Sequence, residues 1–320
     1  MIEVRNLSKS YGNVEAVRNV SFSVGKDQVL GFLGPNGAGK TTIMKILTGY
    51  HFPSGGTALV DGIQVDESPV EVKKRMGYLP ENVPLYGDLT VDEYLAFIAE
   101  ARLIPTDGRK QAINACLESC GLAAYRSRKI ETLSKGYRQR TGLAQAILHD
   151  PAILILDEPT NGLDPNQIIE IRSLIKELGR RKTVILSSHI LQEVEAICSR
   201  VLIINEGKIA AQGTPEEIAG TMKGGDTWEL VLKGAGPELI MERLARLGDG
   251  IASVQAADME DGTVTVSFFV ADEDGSAQSA VPAGERIFDW AVSGGLKILA
   301  MSRKKFSLED IFVSLTGGEQ

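Results

Sequence analysis

The run VLGFLGPNGAGKTTIMKILTG, residues 29–49, reads as an apolar strand, a glycine-rich turn and the start of a helix. Its middle, GPNGAGKTT (34–42), fits G-x-x-x-x-G-K-[ST] in the strand–loop–helix context that this pattern requires. The glycines let the backbone curl until successive N–H groups converge on phosphate oxygens. Lys40 supplies a point charge for β- and γ-phosphates, and Thr41 offers a hydroxyl to Mg²⁺. The candidate nucleotide cradle is therefore Gly34, Pro35, Asn36, Gly37, Ala38, Gly39, Lys40, Thr41 and Thr42.

Working outward, residues 1 to about 220 alternate short apolar runs with amphipathic stretches, the α/β pattern. VLGFLG (29–34), AILILD (152–157), TVILSS (183–188) and RVLIIN (200–205) are nearly continuous in apolar residues. Such runs suit central strands of a mostly parallel sheet covered on both faces. VDEYLAFIAEARLI (91–104) and GRKQAINACLESCGL (108–122) read as helices with no strand between them. A helical subdomain over about residues 82–150 is thus expected to interrupt the sheet. GTMKGGDT (220–227) reads as a joint, and residues 221–320 follow in the order β-α-β-β-α-β, with a final helix SLEDIFVSLT. That order is the ferredoxin-like arrangement of an α+β domain. The RNA-binding version of that fold needs aromatics flanking a glycine in one strand, and Phe268 and Phe269 do not supply the pattern.

Composition bounds the class. The 320 residues are 43% hydrophobic and 24% charged, as in ordinary folded proteins. A formal net charge of −8 argues against a chain whose main task is gripping nucleic acid. Cys116, Cys120 and Cys198 have no metal-ligand spacing and read as reduced thiols. No signal pattern opens the chain and no apolar run reaches the ~18 residues of a membrane span. A cytoplasmic location follows as the expectation, with any membrane role exercised through a partner.

AILILDEPTNGLDP (152–165) ends an apolar strand in two adjacent carboxylates. Asp157 is placed to hold Mg²⁺ through water, and Glu158 to take the proton of an attacking water. VILSSHILQEV (184–194) sets His189 just past another buried strand, which brings it toward the γ-phosphate if that strand shares the sheet. His51 and His149 have no such placement. One stretch, TLSKGYRQR (132–140), duplicates a function already provided: Ser134 and Gly136 stand just ahead of a helix and make a second candidate anion site.

Together these motifs resemble the ATP-binding subunit of an ABC transporter, from Met1 to about residue 220. The resemblance gives the second site a purpose. LSKGY stands where the family has its signature, LSGGQ, which in a head-to-tail dimer closes on the γ-phosphate held by the other subunit. It implies that Ser134 and Gly136 act in trans, that Asp164 lies near the interface, and that Tyr11 stacks on adenine. Three departures stand out. Glu81 occupies the place of the family's Q-loop glutamine, where a carboxylate can still reach Mg²⁺ or the attacking water. Lys135 replaces a signature glycine and Tyr137 its glutamine.

These variants and the C-terminal extension resemble the branch serving ABC-2-type exporters of drugs, sodium, polysaccharide and gliding systems. The implied protein is a peripheral ATPase at the cytoplasmic face of the membrane, using ATP and Mg²⁺. It pairs with a second ATP-binding subunit, most simply its own copy, and drives a polytopic permease on a separate chain through a groove spanning Glu81 to about Leu95. Chromosome-maintenance ATPases need a long coiled coil, which is absent, and translation-associated factors carry two heads in one chain. A soluble regulatory ABC ATPase is the remaining alternative. The substrate is not encoded here, because specificity in this architecture belongs to the permease.

Overall fold

The protein is described here from a computed structural model covering residues 1–221, 225–245, 251–259, 262–271, 283–304 and 312. Two compact units divide the chain, Met1–Pro215 and Glu216–Ser314. The first begins with a hairpin of β1 (Ile2–Tyr11) and β2 (Val14–Val24). Both strands bury roughly every second residue, so one face is apolar and the other wet. Next come β3 (Val29–Leu33), α1 (Lys40–Leu47), β4 (Gly55–Val60), the short β5 (Ile63–Gln64), α2 (Pro69–Arg75) and β6 (Met76–Leu79).

The helical insert then follows. It consists of α3 (Val91–Ala101), α4 (Thr106–Ser119) and α5 (Lys135–Ile147). A capping box starts α3: Thr90 Oγ1 accepts from Glu93 N, while the Glu93 carboxylate accepts from Thr90 N. The chain returns as β7 (Ile153–Leu156), α6 (Pro165–Gly179), β8 (Thr183–Ser188), α7 (Leu191–Ile197), β9 (Arg200–Asn205) and β10 (Lys208–Gly213), and α8 (Pro215–Thr221) begins the second unit.

These strands form two sheets. One is antiparallel with order β2-β1-β4-β5, an element the sequence reading did not separate from the main sheet. The other has order β10-β9-β3-β8-β7-β6, parallel except for β10. Every residue of β3, β7 and β8 is buried, which explains their unbroken apolar runs. The core packs Ile2, Val4 and Phe22 of the antiparallel sheet with Ile43 and Met44 of α1 and Phe32, Ile155 and Ile185 of the parallel one. Phe22 and Phe32 meet edge to face at 5.4 Å.

Register then places the chemistry. Leu33 pairs with Ser188, and Leu156 with both Leu79 and Leu186. The carboxyl ends of β3, β6, β7 and β8 therefore lie side by side, where open parallel sheets bind ligands.

The second unit contains β11 (Gly225–Lys233), α9 (Pro237–Ala245), β12 (Ile251–Asp258), β13 (Val264–Ala271), α10 (Ala283–Ser293) and β14 (Lys297–Lys304). Its antiparallel sheet has order β12-β13-β11-β14, the ferredoxin-like order expected from the sequence. Leu230, Leu232, Val266 and Phe268 face Ile240 and Leu244 of α9 and Ile287 of α10 across its core. Of the expected joint at 220–227, α8 reaches Thr221 and β11 starts at Gly225; residues 222–224 lie outside the described residues. The expected last helix over SLEDIFVSLT lies outside them as well, apart from Phe312. Among the described residues, no helix is long and apolar enough to cross a membrane.

Candidate functional site

The glycine-rich turn between β3 and α1 is open where a ligand would enter and tight where it meets protein. At Gly39, φ is +106° and an added Cβ would lie 2.6 Å from the Ala16 carbonyl oxygen. At Gly37, φ is +83° and nothing protein-borne lies within 4 Å of that position. Asn36 is exposed, Pro35, Thr41 and Thr42 are half-buried, and Gly34 and Ala38 are buried. Because Gly39 is the N-cap, no side chain satisfies the first N–H groups of α1, which stay available to anionic oxygens. Lys40 is buried, donates to Gly34 O at 2.6 Å and Pro35 O at 3.1 Å, and stands 3.8 Å from Glu158 Oε1. Burial pulls its pKa down, against the pull of the Glu158 and Asp157 carboxylates.

Both carboxylates at the end of β7 are buried, in different surroundings. Asp157 Oδ1 accepts from Ser187 Oγ at 2.6 Å and from Thr41 Oγ1 at 3.3 Å. Asp157 Oδ2 is buried with no hydrogen-bond partner. Desolvation pushes the Asp157 pKa up, and the Ser187 and Thr41 bonds only partly offset this. An orphaned carboxylate oxygen beside a threonine hydroxyl is a donor set that suits a hard, oxygen-preferring cation such as Mg²⁺.

Glu158 has φ +46°, an uncommon backbone state for a side-chain-bearing residue. Its N–H donates to Ser187 Oγ at 2.9 Å. Its carboxylate lies between Lys40 and His189, with His189 Nδ1 3.0 Å from Oε2. His189 is exposed, so the pair faces both protein and solvent. Glu81, in the loop after β6, accepts from Asn161 Nδ2 at 3.0 Å. The sheet therefore gathers Lys40, Thr41, Asp157, Glu158 and His189, with Glu81 tied to the loop that follows Glu158.

The remaining candidates make local contacts. Ser134 is the N-cap of α5, its Oγ accepting from Tyr137 N at 3.5 Å. Gly136 is not ahead of that helix, as the sequence suggested, but buried in its first turn, where an added Cβ would strike Gln167. The Lys135 Nζ occupies the space a side chain at Gly162 would need. Asp164 caps α6 through Gln167 N at 3.0 Å. Tyr11 ends β1, half in solvent, with its ring edge-on to His51 at 5.7 Å. Among the described residues, no hydrogen bond joins Ser134, Gly136, Asp164 or Tyr11 to the cluster at Lys40.

The chain as a whole has counterparts among known proteins. The family model described as ABC transporter matches residues 17–161. An uncharacterized ABC transporter ATP-binding protein of Synechocystis is 34% identical over 98% of this chain and 84% of its own length. The linearmycin resistance ATP-binding protein LnrL of Bacillus subtilis is 31% identical over 99% of this chain and 98% of its own. This chain belongs to the family of ABC transporter ATP-binding proteins. A solved ATP-binding subunit of an ABC transporter superposes with a TM-score of 0.64 at 29% identity, over 69% of this chain and 93% of that one.

Some residues of this ABC ATPase site were not visible to sequence reasoning. Ser187 bridges the two strand ends by donating to Asp157 and accepting from Glu158 N. Asn161 holds Glu81. A hint lay in SSH (187–189), where small hydroxyls end an otherwise apolar strand. Elsewhere in the ABC ATPase, Cys116, Cys120 and Cys198 are buried free thiols, with burial raising all three pKa values. His149 Nε2 lies 3.1 Å from Met76 O, and burial holds its pKa down at about 4.

Proposed function

We propose that this ABC ATPase is the motor of an exporter, hydrolysing ATP between two head-to-tail copies and moving a permease carried on a separate chain. The observation that carries the chemistry is Glu158, held between Lys40 and His189 beside the orphaned oxygen of Asp157. The turn from Gly34 to Thr42 wraps the phosphates, and Lys40 exchanges its carbonyl contacts for phosphate oxygens. Thr41 and Asp157 hold Mg²⁺, which when bound neutralises charge on the β- and γ-phosphates. Glu158 accepts the proton of the attacking water, and His189 steadies that carboxylate and the γ-phosphate. Glu81, tied to Asn161, would serve the cation or the attacking water.

Ser134, Gly136 and Asp164 serve the nucleotide of the second copy, which accounts for their distance in bonding from this chain's own cluster. Tyr11 takes the adenine face. Residues 1–220 form the ATP-binding domain and 221–320 an accessory domain, and the segment from Glu81 to about Leu95 meets the permease at the cytoplasmic face of the membrane. The resistance function in the name of LnrL, matched over nearly its whole length, supports export.

The test uses Glu158→Gln. Turnover should fall by about 10²- to 10⁴-fold with ATP binding kept, trapping the closed dimer. Solubilised native membranes should yield a polytopic protein bound to the trapped variant. Undiminished turnover overturns the role of Glu158; a soluble dimer alone overturns export in favour of a soluble regulatory ATPase.

A further inference from the structure

Glu193 is a carboxylate that the reaction above leaves unused. It stands in α7 and is 2% exposed. Its Oε2 accepts from two hydroxyls, Thr160 Oγ1 at 2.5 Å and Ser188 Oγ at 3.0 Å. Its Oε1 lies 3.4 Å from Arg172 Nη2 on α6 and is buried without a hydrogen bond. Burying a carboxylate is costly even beside Arg172, and an acidic residue in the first turn of α7 would favour that helix without being buried.

The two hydroxyls explain the placement. Thr160 lies two residues after Glu158, and Ser188 immediately precedes His189. Their strands, β7 and β8, are parallel neighbours, but the paired register ends at Leu156 and Leu186. Past that point β7 gives way to a loop, while β8 runs on beside β3 to Ser188. Ser187 bridges them at the level of Asp157 and the Glu158 N–H. Glu193 bridges them again one step out, through a single oxygen shared by both sides. Ser188 Oγ also accepts from Ile190 N at 3.0 Å, so the same hydroxyl shapes the turn that presents His189.

We infer that Glu193 is a positioning residue that fixes the spacing of Glu158 and His189 by clamping Thr160 to Ser188. The inference rests on the role proposed above for Glu158. Losing the clamp frees the loop after β7 to move away from the end of β8, and a displacement of about 1 Å at a reacting pair costs up to ~10²-fold in rate. The phosphate cradle is carried by β3 and α1; Ser188 meets β3 only through backbone pairing with Leu33, which the loss of a side-chain contact leaves in place, so nucleotide affinity should change little.

The experiment uses the full chain, with steady-state ATPase kinetics, binding of a fluorescent ATP analogue and thermal melting. Thr160→Val, nearly isosteric and with Glu193 intact, should lower kcat by about ten- to a hundredfold while KM and analogue affinity change less than about threefold. Glu193→Ala should do the same, and adding Thr160→Val to it should cost little more, because both remove one clamp. Glu193→Gln keeps an oxygen that can accept from both hydroxyls and should restore kcat to within about threefold of wild type. Should Glu193→Ala fail to fold, Thr160→Val and Glu193→Gln still decide the matter. Wild-type kcat in Thr160→Val overturns the inference, as does a fall in kcat matched by an equal loss of analogue affinity. Glu158→Gln, run in parallel, separates the two levels. If it turns over normally, the reading of Glu158 fails; if it is inactive while Thr160→Val is normal, only the clamp fails.

Discussion

Replacing Ser187 by alanine removes one oxygen from the centre of the site, and the structure fixes what that should cost. Ser187 is fully buried; its hydroxyl donates to Asp157 Oδ1 at 2.6 Å and accepts from Glu158 N at 2.9 Å. The first bond is charge-assisted, worth about 1.5–3 kcal/mol, and the orphaned N–H adds about 1–3 kcal/mol. Thr41 beside it is only half-buried, so water can partly replace the lost hydroxyl. The lower part of the combined range, about 2.5–4 kcal/mol, is therefore expected. For a unit of this size that lowers Tm by roughly 5–15 °C.

The penalty should also depend on pH. Burial already holds the folded Asp157 pKa above that of the unfolded chain, so its charge costs stability at neutral pH. That cost is relieved as pH falls through the folded pKa. Ser187→Ala removes the largest opposing influence and raises the folded pKa further. Its penalty is thus full above both folded pKa values and shrinks as the pH falls through them. Urea unfolding at neutral pH and at stepwise lower pH measures both quantities. A neutral-pH loss below about 0.5 kcal/mol, or a penalty that grows on acidification, would refute this account of the strand-end bridge.

Other substitutions test the rest of the structure. His149, held at about 4 against an unfolded value of 6.5, should make stability fall as pH drops across that window. With allowance for solvent screening this amounts to roughly 2 kcal/mol. His149→Gln should flatten that acid limb in urea titrations, and superimposable limbs would count against the assignment. In the cradle, Gly39→Ala forces a Cβ onto the Ala16 carbonyl and should cost about 2–4 kcal/mol along with nucleotide binding. Gly37→Ala meets no protein atom and should cost only about 1–2 kcal/mol of backbone strain. Melting curves with and without ATP distinguish the pair, and equal losses would mean that the close approach at Gly39 is not what its backbone serves.

Legibility in the sequence followed the range of the interactions. The cradle could be read because all its groups lie within nine consecutive residues, Gly34–Thr42, and its conformation follows from local backbone freedom. β3, β7 and β8 could be read because strands buried on both faces must be apolar throughout. The hairpin of β1 and β2 belongs to a separate antiparallel sheet, and nothing in its alternating pattern says which sheet it joins. The sequence pattern starts the helix at RQR, after Gly136; in the structure α5 already includes Gly136, whose missing side chain allows the close approach of Gln167 from α6.

The sequence by itself thus determined which residues carry charge, hydroxyl and turn, and that Glu158 ends an apolar strand. It could not determine that Ser187 would bind Asp157, that His189 would meet Glu158, or that Glu193 would join Thr160 to Ser188. Asp157 and Ser187, or Glu158 and His189, are some thirty residues apart in the chain. They meet only because β8 is inserted between β3 and β7 in the sheet. Strand order is settled by the packing of both sheets around α1, a property of the whole core that no local window of sequence contains.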